Sequence, residues 1–202
     1  MYTVRAIWEW IYELLKKYTM TNRVKSTINA MRTRGAVAPS SKFLVRKMLS
    51  KIDYSHDLEL LQLGFGSGVF TRGIVEKMTP GSTLVIFEVD GKCRKHEIED
   101  DRIRYIEDSA EKISHYFGDR QFDHIISTLP FASLPKRVSD GILQEIRQHL
   151  KKNGTFLQFQ YSLFSKKDIR MLFDDGPRID FEILNFPPAF IYETTNVGTR
   201  VL

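Results

Sequence analysis

The chain has 202 residues, 42% hydrophobic and 27% charged, which suits one folded domain and excludes a disordered or fibrous polymer. Its one cysteine, Cys93, excludes an internal disulfide and a thiolate zinc site, and no apolar run approaches the roughly 20 residues of a membrane span. The net charge of +5 is uneven: residues 1–51 hold 11 Lys or Arg against Glu9 and Glu13, whereas residues 52–202 hold 19 against 23 acids.

In residues 3–18, Val4, Ile7, Trp8, Ile11, Leu14, Leu15 and Tyr18 recur at three- and four-residue spacing, the helix period. Arg5, Glu9, Glu13, Lys16 and Lys17 interrupt that face, so it does not read as a secretory leader. A second helix is expected over 22–33, then a loop over 35–41, with Ser40 or Ser41 capping a helix over 42–50. Residues 1–34 thus read as basic amphipathic helices and 35–202 as the globular domain.

From residue 58 onward, strands and helices alternate. Strands are expected over 58–63, 83–89, 103–106, 124–127 and 155–161. Helices are expected over 69–78, 92–99, 109–117, 136–150 and 166–173. Two last strands, 179–185 and 190–194, have no helix between them and pair as an antiparallel hairpin. Alternation of this kind implies an α/β domain whose mostly parallel sheet is covered on both faces.

The sharpest local signal is Leu63-Gly64-Phe65-Gly66-Ser67-Gly68, where a strand ends, glycines turn the chain and a helix begins. A dinucleotide fingerprint has the spacing G-x-G-x-x-G, and its last glycine falls here on Val69. The tighter G-x-G-x-G favours a nucleoside without a pyrophosphate. Glu88 ends the next strand, where a carboxylate accepts from both ribose hydroxyls. Asp108 follows the third strand, with Ser109 beside it, and is either an acceptor for an adenine amino group or a helix N-cap.

These residues resemble the class I S-adenosylmethionine-dependent methyltransferases, and more narrowly the bacterial phospholipid N-methyltransferases. The resemblance runs from about Asn22 to Thr194. It rests on the loop 35–44 (GAVAPSSKFL), the glycine turn through Thr71, Ser127-Thr128-Leu129-Pro130, Phe159-Gln160-Tyr161 and Asn185-Phe186-Pro187-Pro188-Ala189. It implies a Rossmann-like seven-stranded sheet with the last strand antiparallel, and S-adenosylmethionine as cofactor. It carries cofactor contacts to Gln62, Gly64, Gly66, Gly68, Glu88, Asp108, Ser109 and Ser127. Gln62 stands where the family usually has Glu, and Thr128 where Gly is common, which would narrow the substrate entrance.

Methyl transfer needs a neutral amine lone pair held about 3 Å from the methyl, so orientation is the main task. Tyr161 is the candidate catalytic residue, with Thr128, Leu129 and Pro130 as substrate contacts. A tyrosine there holds an amine by its hydroxyl and a methylated ammonium by its ring face. The five histidines show no metal-ligand spacing, so no metal is expected. The implied partners are an aminolipid and an anionic membrane surface, with Trp8, Trp10, Ile11, Lys16 and Lys17 as the membrane contacts of a peripherally bound cytoplasmic enzyme. Two other readings stay open: adenine methylation in RNA, which a basic arm would also suit, and a cofactor-binding module without catalysis. The Asn-x-Pro-aromatic motif of the RNA enzymes is here Thr128-Leu129-Pro130-Phe131, without the amide.

Overall fold

The computed structural model describes residues 41–91, 97–161, 169, 176–185 and 187–198. The chain divides into two compact units, Met1–Pro39 and Ser40–Leu202, and the described residues belong to the second. The helices expected over 3–18 and 22–33 lie outside the described residues, as do most of those expected over 92–99 and 166–173.

Helix α1 (Lys42–Leu49) starts at Ser41, whose hydroxyl accepts from the Leu44 N–H at 3.2 Å, so the second of the two candidate serines is the cap. Its Leu44, Val45, Met48 and Leu49 are buried at the helix period. Strand β1 (Glu59–Leu63) leads through the glycine turn into α2 (Val69–Val75), and β2 (Thr83–Phe87) and β3 (Ile103–Ile106) follow. A short 3-10 turn over Ala110–Lys112 precedes α3 (Ile113–Phe117). Then come β4 (Phe122–Ser127), α4 (Lys136–His149), β5 (Leu150–Gln160), β6 (Arg178–Glu182) and β7 (Ala189–Thr195). Ser139, Ile142, Leu143, Ile146 and His149 form the buried stripe of α4.

The seven strands lie in the order β3-β2-β1-β4-β5-β7-β6. The first five are parallel, and β7 is antiparallel to both β5 and β6. The final hairpin pairs as expected and inserts its second strand next to β5. β5 begins at Leu150 rather than at 155, because Lys151-Lys152-Asn153-Gly154 is a polar excursion with Asn153 at φ 64°. The register against β4 shifts there, between Phe122 and His124. Three polar residues and a glycine hide a strand from any reading based on apolar alternation.

One face of the sheet packs Leu60, Leu84, Ile86, Ile126, Leu157 and Ile191 against Leu44, Met48, Phe70 and Ile74 of α1 and α2. Burying each such side chain contributes about 1.5–3 kcal/mol. Strand order reverses between β1 and β4, and in open α/β sheets the crevice at the carboxyl ends beside that reversal takes the ligand.

Candidate active site

The turn after β1 gives Gly64, Gly66 and Gly68 φ values of 85°, 55° and 72°, a left-handed backbone that side chains resist. Gly64 is also crowded, since a Cβ there would lie 2.6 Å from Thr128 Oγ1. A Cβ at Gly66 would meet nothing within 4 Å, so the middle of the turn is bare backbone open to a ligand.

Glu88 Oε2 accepts from the N–H groups of Phe65 at 2.9 Å and Gly66 at 3.2 Å, and Oε1 accepts from the Asp90 N–H at 3.0 Å. The carboxylate therefore fastens the turn to the end of β2. With about four lone-pair sites it keeps acceptor capacity for hydroxyl groups. A cleft of about 120 Å³ opens beside it, walled by Phe65, Ile86, Tyr105 and Ile106. Glu88, Asp90, Glu97 and Glu107 edge the same cleft. The Phe65 and Tyr105 rings meet edge to face at 5.5 Å. Bare turn, ribose-height carboxylate, apolar wall and acidic rim fit a nucleoside that carries positive charge, as S-adenosylmethionine does.

Asp108 does not line this cleft. Its carboxylate accepts from the Ser109 N–H at 2.7 Å, from Lys112 Nζ and from the Tyr116 hydroxyl at 3.0 Å. Lys112 beside it holds its pKa below the ordinary value. Ser109 is occupied as well, capping the 3-10 turn by accepting from the Glu111 N–H. Asp108 is thus engaged by its own neighbours Ser109, Lys112 and Tyr116. Glu107, one residue earlier, reaches the cleft, and sequence reading missed it together with Asp90, Glu97, Phe65 and Tyr105.

Gln62 is fully buried within the scaffold. Its Nε2 donates to the Gly64 carbonyl at 2.8 Å and its Oε1 accepts from the Thr71 hydroxyl at 2.9 Å, so it braces the turn against α2. Ser127 is also fully buried, and its hydroxyl accepts from the Leu129 N–H at 3.3 Å. The Thr128 hydroxyl donates to the Gly64 carbonyl at 3.1 Å, so this side chain is turned onto the glycine turn. The Leu129 carbonyl accepts from Nε2 of both Gln158 and Gln160, each at 2.9 Å. That carbonyl is thereby used up, and the segment Thr128–Pro130 acts as a held wall. Sequence reading missed Gln158 and, although it quoted Gln160 within Phe159-Gln160-Tyr161, assigned it no role. Gln158 Oε1 is buried without a hydrogen-bond partner.

Tyr161 follows β5 on the same edge. Its hydroxyl is buried with no atom in hydrogen-bonding geometry. Burial pushes its pKa above the ordinary value, and the Asn185 amide beside it opposes that. Asn185, 2% exposed, accepts from the Ser41 N–H at 2.8 Å through Oδ1 and donates to the Pro187 carbonyl at 2.7 Å through Nδ2. Thus Ser41, Tyr161 and Asn185, far apart in sequence, meet at one place. Asn185 had no role assigned from sequence; a lone amide before two prolines was the available signal.

Trp8, Trp10, Ile11, Lys16 and Lys17 lie outside the described residues. Among the described residues, no group of three or more His, Cys, Asp or Glu is placed to hold a metal ion. No helix among them is long and apolar enough to cross a membrane.

Residues 61–158 match the family described as a methyltransferase domain. The chain is 26% identical over 164 residues to an ornithine lipid N-methyltransferase of Singulisphaera acidiphila, covering 78% of this chain and 85% of that protein. The solved N-methyltransferase NodS of Bradyrhizobium japonicum, in complex with S-adenosyl-L-homocysteine, superposes with a TM-score of 0.64 at 10% identity. That match covers 93% of this chain and 98% of NodS. A SAM-dependent methyltransferase of Aquifex aeolicus gives a TM-score of 0.59 at 14% identity, covering 77% of this chain and 90% of that one. At such identities the solved structures establish the shared fold.

Proposed function

Because the chain is an S-adenosylmethionine-dependent methyltransferase with the class I fold, we propose that it methylates the amino head group of a membrane aminolipid at the membrane surface. One observation carries the reading: Ser41, Tyr161 and Asn185 converge beside the cofactor edge in a chain similar, over 164 residues, to a protein named for lipid N-methylation.

The cofactor supplies a methyl group on a sulfonium, electrophilic toward a neutral amine lone pair. The chain's residues do the rest. Glu88 receives the ribose hydroxyls, and the acidic rim of the cleft favours a cationic ligand. Gln62 and Thr128 keep the glycine turn in shape from beneath. Gln158 and Gln160 fix the wall at Leu129. Tyr161 orients the amine by its hydroxyl and offers its ring face to the methylated product. The basic, tryptophan-bearing segment 3–18 holds the enzyme on an anionic bilayer at its cytoplasmic face.

Adenine methylation in RNA is the weaker reading. It needs an amide at position 128, and the threonine there is committed to the Gly64 carbonyl. The test is incubation of the full chain with methyl-labelled cofactor, vesicles containing phosphatidylethanolamine or ornithine lipid, and RNA in parallel. Label in the extracted lipid is the expected result; label in RNA, or in neither, overturns the reading.

A further inference from the structure

Three large apolar side chains stay exposed at one end of the domain: Phe43 at 55%, Ile183 at 65% and Leu184 at 60%. Two contacts bring them together. Lys47 Nζ of α1 donates to the Phe181 carbonyl of β6 at 2.7 Å, and the Ser41 N–H donates to Asn185 Oδ1 at 2.8 Å. Helix α1 therefore runs alongside β6 in the opposite sense. Phe43, one turn before Lys47 on the same helix face, comes level with the turn that carries Ile183 and Leu184. Glu182 pairs with Ala189 and Gln160 with Phe190, so this turn lies at the carboxyl edge, beside Tyr161.

The patch has a basic flank. Lys42 and Arg46 are exposed on α1 on either side of Phe43, and neither forms an ion pair among the described residues. An exposed aromatic and two aliphatics flanked by two cations match the chemistry of an anionic lipid interface, where apolar side chains enter the acyl boundary and cations meet head groups. Resting on the lipid reading above, we infer that Phe43, Ile183 and Leu184 form a second bilayer contact, separate from segment 3–18. This contact seats the Tyr161 end of the site against the membrane. A single contact leaves the enzyme free to rotate about it, and a second contact at the site edge fixes which face meets the lipid.

The test uses the full chain with Cys93→Ser and Leu184→Cys, labelled with an environment-sensitive fluorophore and mixed with phosphatidylglycerol–phosphatidylcholine vesicles. The same label on Asp119→Cys, at the opposite edge of the sheet, is the control. Emission at 184 is expected to shift to the blue on vesicles and rise about threefold, as a probe entering the acyl boundary does, with no change at 119. The double substitution I183E and L184E is expected to weaken vesicle binding and methylation of vesicle lipid about tenfold. It should leave cofactor affinity and methylation of a short-chain soluble aminolipid unchanged. If the wild type binds vesicles and methylates lipid while the label at 184 does not respond, the patch is overturned and the lipid reading stands. A label already blue-shifted without vesicles shows the patch covered by this chain or a second copy, and also overturns it. A wild type that neither binds vesicles nor methylates any aminolipid overturns the reading beneath it.

Discussion

At the residue scale, two side chains divide the work. Glu88 accepts three backbone N–H bonds and still lines the cleft, so it shapes the turn and, on the function proposed above, would meet the ligand. Glu88→Ala is expected to weaken cofactor binding by about 1.5–3 kcal/mol, the range for hydrogen bonds to a charged group, as read by calorimetry. Unchanged affinity would remove Glu88 from the site. Tyr161 has a different task. Its pKa is raised by burial, so its hydroxyl is neutral at physiological pH and does not serve as a base. On the function proposed above, the amine would lose its proton to solvent before capture. Accordingly, kcat/KM should rise with pH up to the amine's own pKa. Tyr161→Phe should lower kcat about 10- to 100-fold, as a mispositioned nucleophile does, and leave that rising limb where it is. A limb that moves in Tyr161→Phe would mean that the hydroxyl takes part in proton transfer.

At the element scale, the glycine turn depends on the strand beside it. Thr128, just beyond β4, bonds the Gly64 carbonyl, and its hydroxyl occupies the space that a side chain at 64 would need. Gly64→Ala should therefore destabilise the fold by about 1–3 kcal/mol through backbone strain and overpacking together. In a Thr128→Gly background the overpacking part disappears while the strain at φ 85° remains, so the same substitution should cost less. Denaturant melts of the four proteins check this, and equal costs in both backgrounds would show that the two sites do not couple. The same elements show what sequence can and cannot reveal. Strands β1 and β2 were legible because their apolar runs end at the glycines and at Glu88. The start of β5 was not, because Lys151–Gly154 is polar. The Ser41–Asn185 contact spans most of the domain, and no local pattern encodes it.

At the scale of the whole molecule, charge and site geometry point the same way. Residues 1–51 hold 11 Lys or Arg against two acids, while the cleft is edged by four carboxylates. On the function proposed above, the basic segment would favour an anionic surface and the acidic cleft a cationic cofactor, two ligands of opposite sign. Their salt responses should separate. Attraction of the segment to anionic vesicles is screened as the Debye length falls to about 8 Å at physiological ionic strength, while its apolar part persists. Vesicles containing phosphatidylglycerol should thus bind more of the protein than pure phosphatidylcholine, and the difference should shrink with added salt. Trp8→Glu should reduce vesicle binding and lipid methylation together and leave cofactor affinity intact, since the residues that line the cleft come from the β1–β3 region. Co-sedimentation with vesicles and with RNA, each over a salt series, distinguishes this from nucleic-acid binding, which shows a steep salt slope and no preference among vesicles. Binding to RNA alone would assign the basic segment to a polymer and leave the aminolipid without a route to Tyr161.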